Sequence, residues 1–87
     1  MPVLVKMSVQ GIDLPTYDQM STHLRPLMKD HPGFTMHLAY PISGGFNIEE
    51  VWESQAQFEA WYSENIKPNV PADIQPEIIE LHAIAQA

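Results

Sequence analysis

The stretch PVLVKMSV, residues 2–9, sets Val3, Val5, Met7 and Val9 on one side of an extended chain and Leu4, Lys6 and Ser8 on the other. Such alternation marks a half-buried strand, because successive side chains of a strand point to opposite faces. It recurs in FTMHLAY, where Phe34, Met36, Leu38 and Tyr40 alternate with Thr35, His37 and Ala39. PISGG then has turn chemistry, and FNIEEVWE, residues 46–53, reads as a third strand paired with the second in a hairpin. EIIELHAIA, residues 77–85, predicts a fourth strand with Ile78, Glu80, His82 and Ile84 opposite Ile79, Leu81 and Ala83.

Helical spacing fills the two long gaps between strands. LPTYDQMSTHLRPLMK carries Pro15 near a first turn, where a missing amide donor costs little, and Tyr17, Met20, Leu24, Leu27 and Met28 follow at helical intervals. Pro26 removes a hydrogen bond to the Thr22 carbonyl, so a kink or an irregular last turn is expected there. The second helix starts at a capping box, Ser54 with Gln57, and lays Phe58, Trp61, Tyr62 and Ile66 along one stripe. Lys67 before Pro68 stops it, and KPNVPADIQP, with three prolines, reads as a loop. The order βαββαβ, one domain over residues 1–87, is the split arrangement of an α+β ferredoxin-like fold, an antiparallel sheet with both helices on one face.

A sheet covered on one face only, with apolar residues on both faces of its first and fourth strands, needs a second cover. At 87 residues, with no cysteine for a disulfide or a thiolate metal site, further burial is expected from a second subunit, and a homodimer follows. A formal charge of -7 repels phosphate backbones and anionic lipid, so neither nucleic acid nor membrane is expected as a partner. No stretch has the length of a membrane span or the apolar centre of a signal peptide, and a soluble cytoplasmic protein is expected.

The most informative segment is VWESQAQFEAWYSEN, residues 51–65: a strand ending in a Trp-Glu-Ser turn, then a helix with Phe58 and an aromatic at 61. With the element order, it resembles the dimeric α/β barrel superfamily, which includes the antibiotic-biosynthesis-monooxygenase-like proteins, over nearly the whole chain. The resemblance implies two sheets closed into a barrel, a small-molecule pocket between sheet and helices in each subunit, and oxidoreductase chemistry without a cofactor on an aromatic or polyketide-like metabolite. Cyclisation or isomerisation by a histidine base, or a non-catalytic ligand-binding or structural dimer, stays open beside it, since one scaffold carries many chemistries. Trp61 is also similar to a tryptophan with which the haem-degrading branch distorts its haem. That branch further needs a first-strand asparagine, where Met7 and Ser8 stand, and an axial histidine that would fall at Pro71. No haem, other cofactor or metal is expected.

Within such a pocket, imidazole can take and give a proton near neutral pH, which makes His37 and His82 candidate bases; either could instead be a structural group. His82 shares its predicted face with Glu80, a carboxylate that could fix its tautomer, and is the stronger candidate. Glu50 sits on a predicted face with Phe46, Ile48 and Trp52, an odd place for a carboxylate unless it has a partner or the face is wet, and could act as acid or base. Tyr17, Tyr40 and Tyr62 could each orient a ligand oxygen or be core residues with a wet tip, and Trp52 and Trp61 could wall a flat ligand or simply fill the core. His23 and His31 are assigned nothing.

Overall fold

The computed structural model describes residues 1–69 and 74–87. Strand β1 (Val3–Gln10) leads to helix α1 (Leu14–Asp30), strands β2 (Phe34–Ile42) and β3 (Gly45–Trp52), helix α2 (Gln55–Trp61) and strand β4 (Glu77–Glu80). The four strands form one antiparallel sheet in the order β2-β3-β1-β4. This is the ferredoxin-like topology expected from the sequence, with each βαβ unit split by a strand of the other. The middle of the proline-rich loop, residues 70–73, lies outside the described residues.

The faces of the central strands follow their alternation. Opposite Val3, Val5, Met7 and Val9 of β1 stand Trp52, Glu50, Ile48 and Phe46 of β3. This face is covered by the helices, and its core joins Val3, Val5, Met7 and Trp52 to Met28 of α1 and to Phe58 and Trp61 of α2. The apolar stripe of α1 differs from the expected one at Leu27, which is exposed, while Ser21 turns inward beside Leu24.

Both helices begin on side-chain caps. Asp13 accepts from the Thr16 amide at 2.9 Å, a cap the pattern of α1 left unread. Ser54 Oγ accepts from the Gln57 amide, but the Gln57 side chain accepts from that same hydroxyl instead of reaching the Ser54 amide, so the box is closed on one side. Helix α1 continues through Pro26 to Asp30. Pro26 and Thr22 are both exposed, so water can satisfy the carbonyl that the proline leaves free. The second helix widens after Trp61 into a π-helical turn, Tyr62–Ile66, closed by a bond from the Lys67 amide to the Tyr62 carbonyl.

Strand β2 runs on through Pro41 and Ile42, which were expected in the turn, and two further strand features differ from expectation. Strand β2 carries a bulge between Phe34 and Met36: Phe34 pairs with Trp52, yet Met36 pairs with Val51 and His37 with Glu50. Phe34 therefore leaves the face it was expected to share with Met36 and packs edge-on against Trp52 in the core. Strand β4 ends at Glu80, opposite Val3, and the Leu81 amide makes one further bond to the Pro2 carbonyl. His82 lies past this end and is exposed, so the face it was to share with Glu80 does not exist. Because Ser54 satisfies an amide that α2 leaves unpaired, Ser54→Ala is expected to lower stability by about 1 kcal/mol, which urea unfolding of the two proteins would read.

Candidate functional site

Between α1 and the sheet lies a cavity of about 70 Å³ with almost wholly apolar walls. Met7 and Ile48 line it from the sheet, Met20, Leu24 and Met28 from α1, and Trp61 from α2. Tyr17, Ser21, His37 and Glu50 are the polar residues on its lining.

Three of these polar residues form a chain whose anchor is Glu50. Its side chain is 4% exposed, and each oxygen has a partner. Trp52, two residues on along the same face of β3, has an indole N–H that can only donate, and it reaches Oε1 at 2.9 Å. His37 Nδ1 lies 2.8 Å from Oε2. A carboxylate that accepts on both oxygens places the ring proton on Nδ1 and leaves Nε2 of a neutral imidazole as an acceptor. Tyr17 Oη, 2.9 Å from Nε2, donates to it. The order is Tyr17 to His37 to Glu50, with Trp52 behind the carboxylate. Among the described residues no buried side-chain nitrogen or oxygen lacks a partner.

The backbone explains how residues so far apart in sequence meet. The β2 bulge sets His37 directly across from Glu50, on the helix side of the sheet. Tyr17 comes from the first turns of α1, and its ring lies flat on Phe46 with centroids 4.6 Å apart and planes 12° from parallel. Burial pushes the Tyr17 phenol above its ordinary value of about 10, outweighing the lowering by a hydrogen bond to Ser21 and by the Arg25 charge.

Of the residues the sequence singled out, Tyr17, His37, Glu50 and Trp61 meet at this cavity. Trp52 is fully buried behind it, against Phe34, Phe58 and Trp61, and its N–H holds Glu50. Tyr62 packs on Phe58 and donates to the carbonyl of Ile74, a lining residue, at 3.3 Å, but is not itself on the cavity lining. His82 is remote from the chain of hydrogen bonds. His31, assigned nothing, sets its ring edge-on to both tryptophans at 5.6 Å. The pairing of His37 with Glu50 escaped the sequence because it depends on the bulge. The methionine walls were visible as apolar positions of β1 and α1 but carried no sign of a void.

No family model matches the chain, and no curated protein matches its sequence. Solved structures do. A haem-degrading protein from Mycobacterium tuberculosis, in a haem-free structure, matches the whole of this chain and 98% of its own with a TM-score of 0.71 at 18% identity. SnoaB, a cofactor-independent oxygenase from Streptomyces nogalater, matches 95% of this chain and 94% of its own with a TM-score of 0.67 at 10% identity. The chain shares the fold of these two proteins, in agreement with the fold implied by the resemblance in VWESQAQFEAWYSEN. Pro71, where the axial histidine of the haem-degrading branch would fall, lies outside the described residues.

The Tyr17 environment has a direct consequence in alkali. The folded state favours the neutral phenol, so its contribution to stability is complete below about pH 10 and is lost as pH rises past the ionisation of Tyr17 itself. In a titration of tyrosinate absorbance, one of the three phenols is expected to ionise later than an ordinary tyrosine, and Tyr17→Phe is expected to remove that late step.

Proposed function

We propose that the chain is a small-molecule enzyme of cofactor-independent monooxygenase type, in which His37, oriented by Glu50, removes a proton from an aromatic or polyketide-like metabolite held in the cavity. The observation that carries this reading is the hydrogen-bonded line Tyr17–His37–Glu50 at the edge of an otherwise apolar cavity. A neutral imidazole with its Nδ1 proton tied to a carboxylate is a base at Nε2, and the imidazolium formed on proton uptake is stabilised by the same carboxylate. The substrate anion would then react with O2. One oxygen atom enters a new C–O bond and the other leaves as water with two hydrogens of the substrate. The fold shared with a cofactor-independent oxygenase supports the choice of O2 as oxidant. Cyclisation or isomerisation would use the same base without it.

The experiment is turnover of a panel of phenolic and polyketide-like compounds under air and under argon, followed by oxygen uptake and product mass. Oxygen-dependent turnover supports the proposal, equal conversion under argon makes the chain a cyclase or isomerase, and no conversion at all makes it a binding protein. His37→Ala is expected to lower kcat/KM by about 10²- to 10⁴-fold, whereas His82→Ala is expected to leave it unchanged.

We further propose that a second copy covers the free face of the sheet. Met36, Val51, Leu4 and Ile79 stand side by side there, one from each strand, forming an apolar row across the sheet. Leu38 is 54% exposed on the same face. An apolar row spanning a whole sheet is the kind of surface that a partner covers. Sedimentation of the pure protein is expected to show a dimer, and Val51→Asp to shift it toward monomer.

A further inference from the structure

Resting on the proton-abstraction reading, the geometry points to a substrate class and a route: we infer that the site takes a single-ring phenol or an enol of similar size, and that its proton passes through Tyr17 to His37. Three observations carry this.

The first is size. The cavity holds about 70 Å³, about half of the 150 Å³ known to accept one benzene ring. Met7, Met20 and Met28 form part of its walls. Methionine is unbranched and adapts its shape readily, so room for one ring is gained by rotating side chains. Three fused rings would need α1 to part from the sheet, at the cost of core contacts made by Met28.

The second is the placement of polar atoms. Apart from Ser21, the polar residues on the lining belong to one chain of hydrogen bonds. Nε2 of His37 is already occupied by the Tyr17 hydroxyl. A ligand therefore meets the base through that hydroxyl, whose oxygen keeps one lone pair, beside the one engaged with Ser21, to accept a hydrogen bond. As the substrate O–H gives its proton to Tyr17 Oη, Tyr17 gives its own to Nε2. The substrate becomes an anion, Tyr17 stays neutral, and the imidazolium is paired with Glu50. Because burial disfavours a lasting phenolate on Tyr17, the two transfers are coupled.

The third is that the relaying phenol is itself held in place. The Tyr17 ring is stacked on Phe46, which fixes its hydroxyl on the base at the edge of the cavity.

The test uses 4-nitrophenol, whose ionised form absorbs visible light, with 4-nitroanisole as the same ring without a donor hydroxyl and anthrone as a three-ring compound. Calorimetry with the full chain is expected to give 4-nitrophenol an affinity about tenfold above that of the ether, the factor worth one hydrogen bond, and above that of anthrone. Binding is expected to increase the ionised fraction at a fixed pH near neutral. Tyr17→Phe, which keeps the stack on Phe46, is expected to bring phenol and ether to equal affinity and abolish the ionisation; His37→Gln is expected to abolish the ionisation alone. The circular dichroism of both variants establishes that they fold. Equal affinity for phenol and ether in the wild type, tighter binding of anthrone, ionisation that persists in Tyr17→Phe, or no binding of 4-nitrophenol at millimolar concentration would each overturn the inference. Turnover plays no part in these readouts. A chain that binds and ionises the phenol yet converts no compound keeps the inference and loses the catalytic reading, while oxygen-dependent turnover of a multi-ring substrate does the reverse.

Discussion

The burial of one carboxylate organises this molecule. Glu50 lies on the core face of β3 between Ile48 and Trp52, where an unpartnered charge would be prohibitive. Its two oxygens are met by donors from different places: Trp52 on its own strand and His37 on the neighbouring one. The Trp52 bond follows from strand geometry alone, since residues two apart share a face. The His37 bond does not. In the pairing that Phe34 makes with Trp52, continued without interruption, Met36 would stand opposite Glu50 and His37 would turn to the far face. The extra residue at the bulge, Thr35, lets Phe34 stay in the core and still brings His37 to Glu50.

This dependence explains what the sequence made legible. In much of what an element's own pattern fixes, the reading and the structure agree: the alternation of β1, the shared face of Glu50 and Trp52, the inward positions Tyr17, Met20, Leu24 and Met28, though not Leu27, and the Ser54 cap. Wherever a second strand decides, they part. The bulge in β2 has no glycine or proline to announce it and exists because two registers with β3 must both be met. Strand β4 ends at Glu80, opposite Val3 of β1, which nothing within EIIELHAIA reveals, and so His82 was read onto a strand that stops before it. The choice between His37 and His82 was thus a question about pairing, and the chemistry of imidazole alone could not answer it.

The four aromatics of VWESQAQFEAWYSEN divide their work. Phe58 and Trp52 fill the core, Tyr62 ties the second helix to Ile74, and Trp61 alone borders the cavity. Trp52 has two duties. Its rings pack against Phe34, Phe58 and Trp61, and its N–H fixes one Glu50 oxygen so that the other faces His37. Core and site therefore share an indole, and the orientation of the imidazole is as rigid as the packing around Trp52.

That sharing bears on why a chain of this size keeps a polar line in its interior. A small domain has a thin stability margin, and a buried ionic group is often replaceable by apolar side chains of similar volume with no loss. His37 and Glu50 face each other across β2 and β3, with Val5 on the other side of Glu50, in a sheet that could carry valine or leucine there at no cost to its alternation. Packing thus gives no account of them. Among the described residues every buried side-chain nitrogen and oxygen is satisfied, so the line is not a defect either. What it adds beyond an apolar core is a histidine of fixed tautomer with a phenol at its free nitrogen, opening on a cavity, and that combination has a physical rationale in proton transfer.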